Sequence, residues 1–247
     1  MRVIGVIDLH DGRAVHAKGG RRNRYLPVQR AGNVPVNGDP VRLAQFYLDV
    51  CGLDELYVAD LDAITGGALQ GGALEGIAAV GGSLWLDAGV TTADAARAAL
   101  AAGAKRVIVG IETLPNYEVL DRICADIMPS RVILSLDLRE GNLVCRADSP
   151  IANESIESVA SYAWRTGIAT LVVLDLNRIG GNEGPAWREI GRVREAVPEA
   201  AIYVGGGIGS PGDLQELQAI GVTGALIASA LHDGRLTPAS LHPILTR

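Results

Sequence analysis

The chain has 247 residues and carries 22 Lys plus Arg against 28 Asp plus Glu, a net charge of −6 with its four histidines neutral. That balance argues against nucleic acid or an anionic membrane as the main partner, since either requires clustered excess positive charge. With 48% hydrophobic and 20% charged residues the composition is globular, and the length suits one large domain or two small ones. Three widely spaced cysteines, Cys51, Cys124 and Cys145, make neither a disulfide framework nor a zinc ribbon, which points to a reducing cytoplasm. The apolar run at 3–7 is broken by Asp8 and is too short for a signal-peptide core or a membrane span. A soluble, cytoplasmic protein is expected.

In chain order, residues 3–9 are an apolar, β-branched-rich run that predicts the first strand. The long connection that follows, 10–38, contains Arg13, Lys18, Arg21, Arg22, Arg24 and Arg30. Connections of this length are commonly lids, here hinged at Gly19 and Gly20 and closing over an anion, and the alternative is a solvated surface loop. Asp39-Pro40 opens a helix at 40–50 as an N-cap followed by proline, and Gly52 stops it. The alternation then continues with strand 55–60, helix 69–79, strand 84–87, helix 93–101, strand 106–110 and helix 116–127. After these come strand 131–137, helix 155–165, strand 171–175, helix 186–196, strand 201–205, helix 211–219 and strand 225–228. Gly103, Gly167 and Gly221 read as further helix stops. Continuous apolar strands alternating with helices imply parallel pairing, and eight units predict a closed (β/α)8 TIM barrel. An open doubly wound sheet is the competing architecture, but no G-x-G-x-x-G opens a helix after the first strand.

An internal repeat sharpens this reading. Residues 8–15 (DLHDGRAV) align with 137–144 (DLREGNLV), Asp60-Leu61-Asp62 with Asp175-Leu176-Asn177, and Gly89-Val90-Thr91-Thr92 with Gly207-Ile208-Gly209-Ser210. Residues 103–114 also run without a gap against 221–232. Strands one to four echo strands five to eight, as expected of one TIM-barrel domain, 1–247, made of two similar half-barrels, about 1–128 and 129–247.

Active sites of such barrels form at the carboxyl ends of the strands. Asp8 and Asp137 end strands one and five, which face each other across the mouth, so one carboxylate could take a proton while the other gives one. The competing reading is that each only caps the glycine-containing turn after it. Gly205-Gly206-Gly207-Ile208-Gly209-Ser210 after strand seven and Ala228-Ser229-Ala230 after strand eight are small residues that let backbone N–H groups approach a phosphate. Their first-half counterparts are Asp87-Ala88-Gly89-Val90 and Ile111-Glu112. Asp87 would repel a phosphate, and Ile111 and Glu112 are bulkier than Ser229 and Ala230. The ligand is therefore expected to carry one phosphate, or something other than a phosphate at its far end.

Other candidates are weaker. Asp60-x-Asp62 reads as polar packing behind the site, not a cation site. His10, His16, His232 and His242 have no metal-ligand spacing, although His16 and His232 fall on loops of the active face, where either could bind a ligand. Cys145 has no evident base partner and reads as packing. Neither a Ser-His-Asp arrangement nor a P-loop is present.

Val6-Ile7-Asp8-Leu9 with Gly12, Ala59-Asp60-Leu61-Asp62, Ser135-Leu136-Asp137 and Gly205-Gly206-Gly207-Ile208 together resemble the HisA/HisF histidine-biosynthesis barrel family over nearly the whole chain. The resemblance implies an Amadori-type aminoaldose-to-aminoketose isomerisation with Asp8 as proton acceptor and Asp137 as proton donor. It implies no metal and no organic cofactor. Asp175, at the end of strand six, then joins Lys18, Gly19, Arg21, Gly206, Gly207, Ala228 and Ser229 as substrate- or phosphate-binding candidates.

The chain departs from the ProFAR isomerase (HisA) pattern at Leu174-Asp175 and Ile179-Gly180, where that enzyme carries Thr-Asp and Asp-Gly. It departs again at Ala147-Asp148, in place of a Gly-Trp pair, and at Asp87 and Ile111. Val15-His16-Ala17-Lys18-Gly19-Gly20-Arg21, Asp87-Ala88-Gly89-Val90, Gly110-Ile111-Glu112-Thr113-Leu114 and Ala228-Ser229-Ala230-Leu231-His232 are similar to a HisA-related subfamily. Its members occur in methanogens and in bacteria with tetrahydromethanopterin-linked one-carbon metabolism. ProFAR isomerase activity, a paralogue acting on a monophosphate, an enzyme of methanopterin or methanofuran biosynthesis, and a non-catalytic phosphate-ligand binder remain open. Oligomeric state cannot be read from one chain.

Overall fold

A computed structural model describes residues 1–19 and 25–245. β1 (Arg2–His10) turns back at Asp11-Gly12 onto antiparallel β2 (Arg13–His16), and β3 (Leu26–Pro27) adds to the far side of β2. β4 (Arg30–Ala31) and β5 (Val34–Pro35) make a separate small hairpin. The first connection, expected as a lid or an open loop, is therefore largely paired backbone over its described part. α1 (Pro40–Gln45) opens where predicted, with the Asp39 carboxylate accepting the Val41 and Arg42 N–H groups. It then widens into a π-helical turn, Phe46–Val50, closed by the Cys51 N–H on the Phe46 carbonyl at 3.0 Å.

The remaining elements follow the predicted alternation. They are β6 (Glu55–Asp60), α2 (Leu61–Ile64), α3 (Gly71–Val80), β7 (Ser83–Asp87), α4 (Ala93–Ala101), β8 (Arg106–Gly110), α5 (Tyr117–Ile127), β9 (Val132–Arg139) and β10 (Asn142–Leu143). The second half continues with α6 (Ile156–Arg165), β11 (Thr170–Asp175), α7 (Trp187–Ala196), β12 (Ala201–Gly205), α8 (Pro211–Ala219), β13 (Gly224–Ile227), α9 (Ser229–His232) and α10 (Pro238–Leu245). The predicted helix stops Gly52, Gly103, Gly167 and Gly221 all have positive φ.

Parallel pairing runs β1–β6–β7–β8–β9–β11–β12–β13 and closes with β13 on β1, making the (β/α)8 barrel. β1 and β9, which carry Asp8 and Asp137, are opposed in this ring. Both run two residues past their aspartate, to His10 and Arg139, so neither aspartate ends its strand as the apolar pattern suggested. The cause is a hairpin at each place. Asp11-Gly12 (φ 48° and 71°) and Glu140-Gly141 (φ 52° and 76°) have positive φ at both turn residues, which suits a tight two-residue hairpin.

Alternation along the barrel strands sorts the core into two layers. Inward positions, one per strand, form a plug of Ile4, Tyr57, Trp85, Ile108, Ile133, Val172, Tyr203 and Leu226. Trp85 and Tyr203 meet edge to face at 4.8 Å, a geometry worth about 0.5–1.5 kcal/mol beyond its buried area. Outward positions such as Ile7, Val58, Leu86, Val109, Leu136, Val173 and Val204 pack under the helices. Burial on both faces explains why these strands read as continuous apolar runs. Among the described residues, no helix is long and apolar enough to cross a membrane.

Candidate active site

A cavity of about 270 Å³ opens at the carboxyl ends of the strands. Asp8, Asp137, Gly206, Gly207, Ala228 and Ser229 all line it, so six of the ten sequence candidates converge on one space. Lys18 lines a second, more open cavity of about 430 Å³, which meets the first at Ala17, Gly180 and Ser229. Gly19 donates its N–H to the Ile179 carbonyl at 3.0 Å and so latches the segment after β2 onto the loop after β11. Arg21 and the proposed hinge residue Gly20 lie outside the described residues. Asp175 is buried and faces away from both cavities. Its carboxylate takes the Asn177 N–H at 3.0 Å and the Arg178 Nε at 2.9 Å.

Asp137 is only 5% exposed and accepts a hydrogen bond from Ser135 Oγ at 2.7 Å. Burial first, and then the nearby charge of Asp87, push its carboxyl up to about 8. It therefore holds a proton at neutral pH and is equipped to donate one. Asp8 lies partly buried on the opposed strand and lines the same cavity.

The end of the cavity under β7 and β8 is acidic. Asp87 accepts the Gly89 N–H at 3.2 Å and the Tyr57 hydroxyl at 3.1 Å, and Glu112 stands nearby in the wall. Burial first, and then the charges of Asp87, Asp137 and Asp8, hold the Tyr57 phenol well above its ordinary range, so it remains a donor. Gly89 is the repeat partner of Gly207, and its N–H, which a phosphate would need, is occupied by Asp87. Ile111 is buried in the outer core and does not reach the cavity.

The glycine run at the other end has a packing role first. A Cβ on Gly207 would lie 2.1 Å from the Gly184 carbonyl oxygen, and one on Gly206 would lie 2.5 Å from that of Asp175. Gly207 gives its N–H to the Arg178 carbonyl at 2.9 Å. In the neighbouring turn Ser229 and Ala230 line the cavity and open the short α9, where their N–H groups have no intrahelical acceptor.

The wall residues Tyr25, Tyr57 and Thr113 were missed by sequence reasoning, whereas Leu174 and Ile179 stand out there only as departures from a family pattern. Tyr57 was detectable from the inward phase of its strand. Leu174 and Ile179 make the wall apolar at the positions where the chain departs from the ProFAR isomerase pattern. Asp148 is exposed and paired with Arg146 at 2.7 Å, outside the cavity. Asp60 is fully buried and accepts from the Ala63 and Gln70 N–H groups and from Gln70 Nε2, the packing role expected of it. Asp62 pairs with His10, with Asp11 alongside, in an exposed cluster. Cys145 is packed against the core, and burial pushes its thiol up to about 11.

Fold and site together define a (β/α)8-barrel protein equipped for acid–base chemistry at the strand ends. Residues 2–237 match the family described as histidine biosynthesis protein, and the chain belongs to that family. It is 34% identical over 237 residues, 96% of each chain, to a Thermus thermophilus protein named 1-(5-phosphoribosyl)-5-((5-phosphoribosylamino)methylideneamino) imidazole-4-carboxamide isomerase, or ProFAR isomerase. A Halothermothrix orenii protein of the same name is 29% identical over 238 residues, again 96% of each chain. An uncharacterised protein of Methanocaldococcus jannaschii is 30% identical over 238 residues, 96% of this chain and 95% of its own.

Proposed function

We propose that this chain is an aldose–ketose isomerase of the ProFAR isomerase type, acting on a phosphorylated, sugar-like aminoaldose. The observation that carries the reading is the pair of aspartates on opposed strands around one cavity, with Asp137 protonated at neutral pH. Asp137 gives its proton to the ring oxygen, which opens the sugar to its iminium form. Asp8 takes the proton from C2, and the resulting enol tautomerises to the aminoketose. The phosphate sits against Gly206, Ala228 and Ser229, which line the cavity end formed by β12 and β13.

Asp87 and Glu112 favour a second reading of the substrate, a monophosphate handled by a paralogue of the named isomerases. Two carboxylates occupy the wall where a second phosphate would lie. The test is growth of a histidine auxotroph lacking its isomerase, rescued with this chain and with Asp8→Asn and Asp137→Asn. Rescue by the wild type and by neither variant supports ProFAR isomerase activity. Failure of all three, together with turnover of a phosphorylated aminoaldose bearing one phosphate, supports the paralogue. Failure to turn over any such substrate overturns the isomerase reading and leaves a phosphate-ligand binder.

A further inference from the structure

The second cavity is the terminus of a buried polar chain that begins inside the barrel wall. The π-helical turn brings Tyr47 flat against β1, where a Cβ on Gly5 would lie 2.5 Å from its ring carbons. The Tyr47 hydroxyl is 2.8 Å from the Val6 carbonyl oxygen and 2.6 Å from His232 Nε2, and His232 Nδ1 is 3.5 Å from His16 Nδ1. A phenol has one proton. With that proton on the Val6 carbonyl, the hydroxyl oxygen accepts the His232 Nε2–H, which leaves His232 Nδ1 as an acceptor. His16 must then carry its own proton on Nδ1; its Nε2 is an acceptor in the neutral ring that burial favours, and it donates to an anion only when the anion brings a second proton onto the ring.

Burial holds His232 down to about 3, so it stays neutral and the direction of the relay is maintained. Buried polar networks are costly unless every member is satisfied. This one joins a π-helical turn, a glycine that admits a tyrosine ring, and two histidines. π-Helical turns of this kind often mark functional sites.

Around the cavity stand His16, Lys18, Arg30, Ser229, His232 and Asp233. The one carboxylate among them, Asp233, is paired with Arg235 at 2.8 Å. Arg30 spends one N–H on the Asn33 carbonyl at 2.7 Å and keeps other guanidinium donors. The balance facing the cavity is cationic, in a chain whose net charge is −6.

We propose that this cavity is an oxyanion subsite, in which His16, Lys18, Arg30 and Ser229 hold a second acidic group of the substrate, a carboxylate or a phosphate. The inference rests on the isomerase reading above, and it makes the substrate a double anion. Both anions lie toward β12 and β13, one on each side of Ser229, and neither is at the acidic end near Asp87.

The test is calorimetric titration of the full chain with inorganic phosphate, paired with crystals soaked in the same anion, for the wild type, Arg30→Gln and His16→Gln. The expected result is two phosphates per chain, one against Gly206 and Ser229 and one among His16, Lys18 and Arg30. Arg30→Gln, at an exposed position, weakens only the second site, by tenfold or more, with an unchanged melting temperature. Acetate that displaces phosphate from the second site alone supports a carboxylate there, and acetate that fails to do so supports a phosphate. A single phosphate in the central cavity, unaffected by either substitution, overturns the subsite and leaves the isomerase reading standing. A phosphate in the second cavity alone supports the subsite and overturns the assignment of the central cradle.

Discussion

The backbone carbonyl of Arg178 accepts the Gly207 N–H at 2.9 Å, while the Arg178 guanidinium holds the Asp175 carboxylate and the Gly184 carbonyl, each at 2.9 Å. One residue thus ties the loop after β11 to the turn after β12, and the small residues of that turn are required by this contact before any ligand arrives. Gly207→Ala would place a Cβ 2.1 Å from the Gly184 oxygen at a residue with φ of 78°. Left-handed backbone costs a non-glycine residue about 1–2 kcal/mol, and overpacking a comparable amount. A loss of about 2 kcal/mol or more is expected in urea denaturation, and an unchanged midpoint would disprove the tight seam.

Asp137 gives stability a dependence on pH. Its carboxyl titrates at about 8 in the fold against 3.8 for the unreacted side chain, so between those values the folded state keeps a proton that the unfolded chain releases. Stability contributed by this group therefore falls as pH rises through the window, with a limiting slope of about 1.4 kcal/mol per pH unit for one proton. Asp137→Asn keeps an acceptor for Ser135 Oγ and removes the titration. Melting curves of the two proteins should diverge in favour of the variant between pH 5 and pH 8, and a constant difference would rule out the raised value.

The acid role proposed for Asp137 gives turnover its own dependence on pH. If Asp137 acts as the acid, kcat/KM declines above a pH of about 8, where its carboxyl ionises. Asp137→Asn should lower the rate by roughly 10²–10⁴, the usual worth of a positioned acid or base, and abolish that alkaline limb. A limb that survives in the variant belongs to another group.

Tyr47 and Gly5 form a pair that can be tested by a double-mutant cycle. Gly5→Ala puts a Cβ 2.5 Å from the Tyr47 ring, and about 1–3 kcal/mol of destabilisation is expected from the overpacking. Tyr47→Phe leaves the Val6 carbonyl and His232 without their shared hydroxyl, at about 1–3 kcal/mol. In a Tyr47→Leu background the Gly5→Ala penalty should shrink, and full additivity would show that the two residues do not compete for space.

The barrel was legible because its strands are apolar on both faces and its helices carry their own punctuation, such as the Asp39 cap ahead of Pro40-initiated α1. The repeat placed Asp8 and Asp137 on opposed strands for the same reason, since sequence order fixes strand order in a parallel barrel. What it could not place was anything decided by a side chain's second neighbour. Asp175 lies at a strand end like the others, yet Arg178, three residues on, draws its carboxylate away from the cavity. His16 and His232 are 216 positions apart, and the tyrosine that joins them to β1 depends on a π-helical turn with no signal in the apolar spacing. The two hairpins were hidden for a simpler reason. Asp8 and Asp137 interrupt the apolar run, so the strands look finished at the point where they continue into the turns.

The plug of Trp85, Tyr203 and their neighbours has a kinetic consequence. Because these side chains fill the barrel below the cavity, the cavity is a blind well, and whatever is made there must leave by the mouth through which its precursor arrived. Product and substrate thus share the same open face of the barrel, where the central cavity adjoins the second one. Accumulating product should slow the reaction by simple competition.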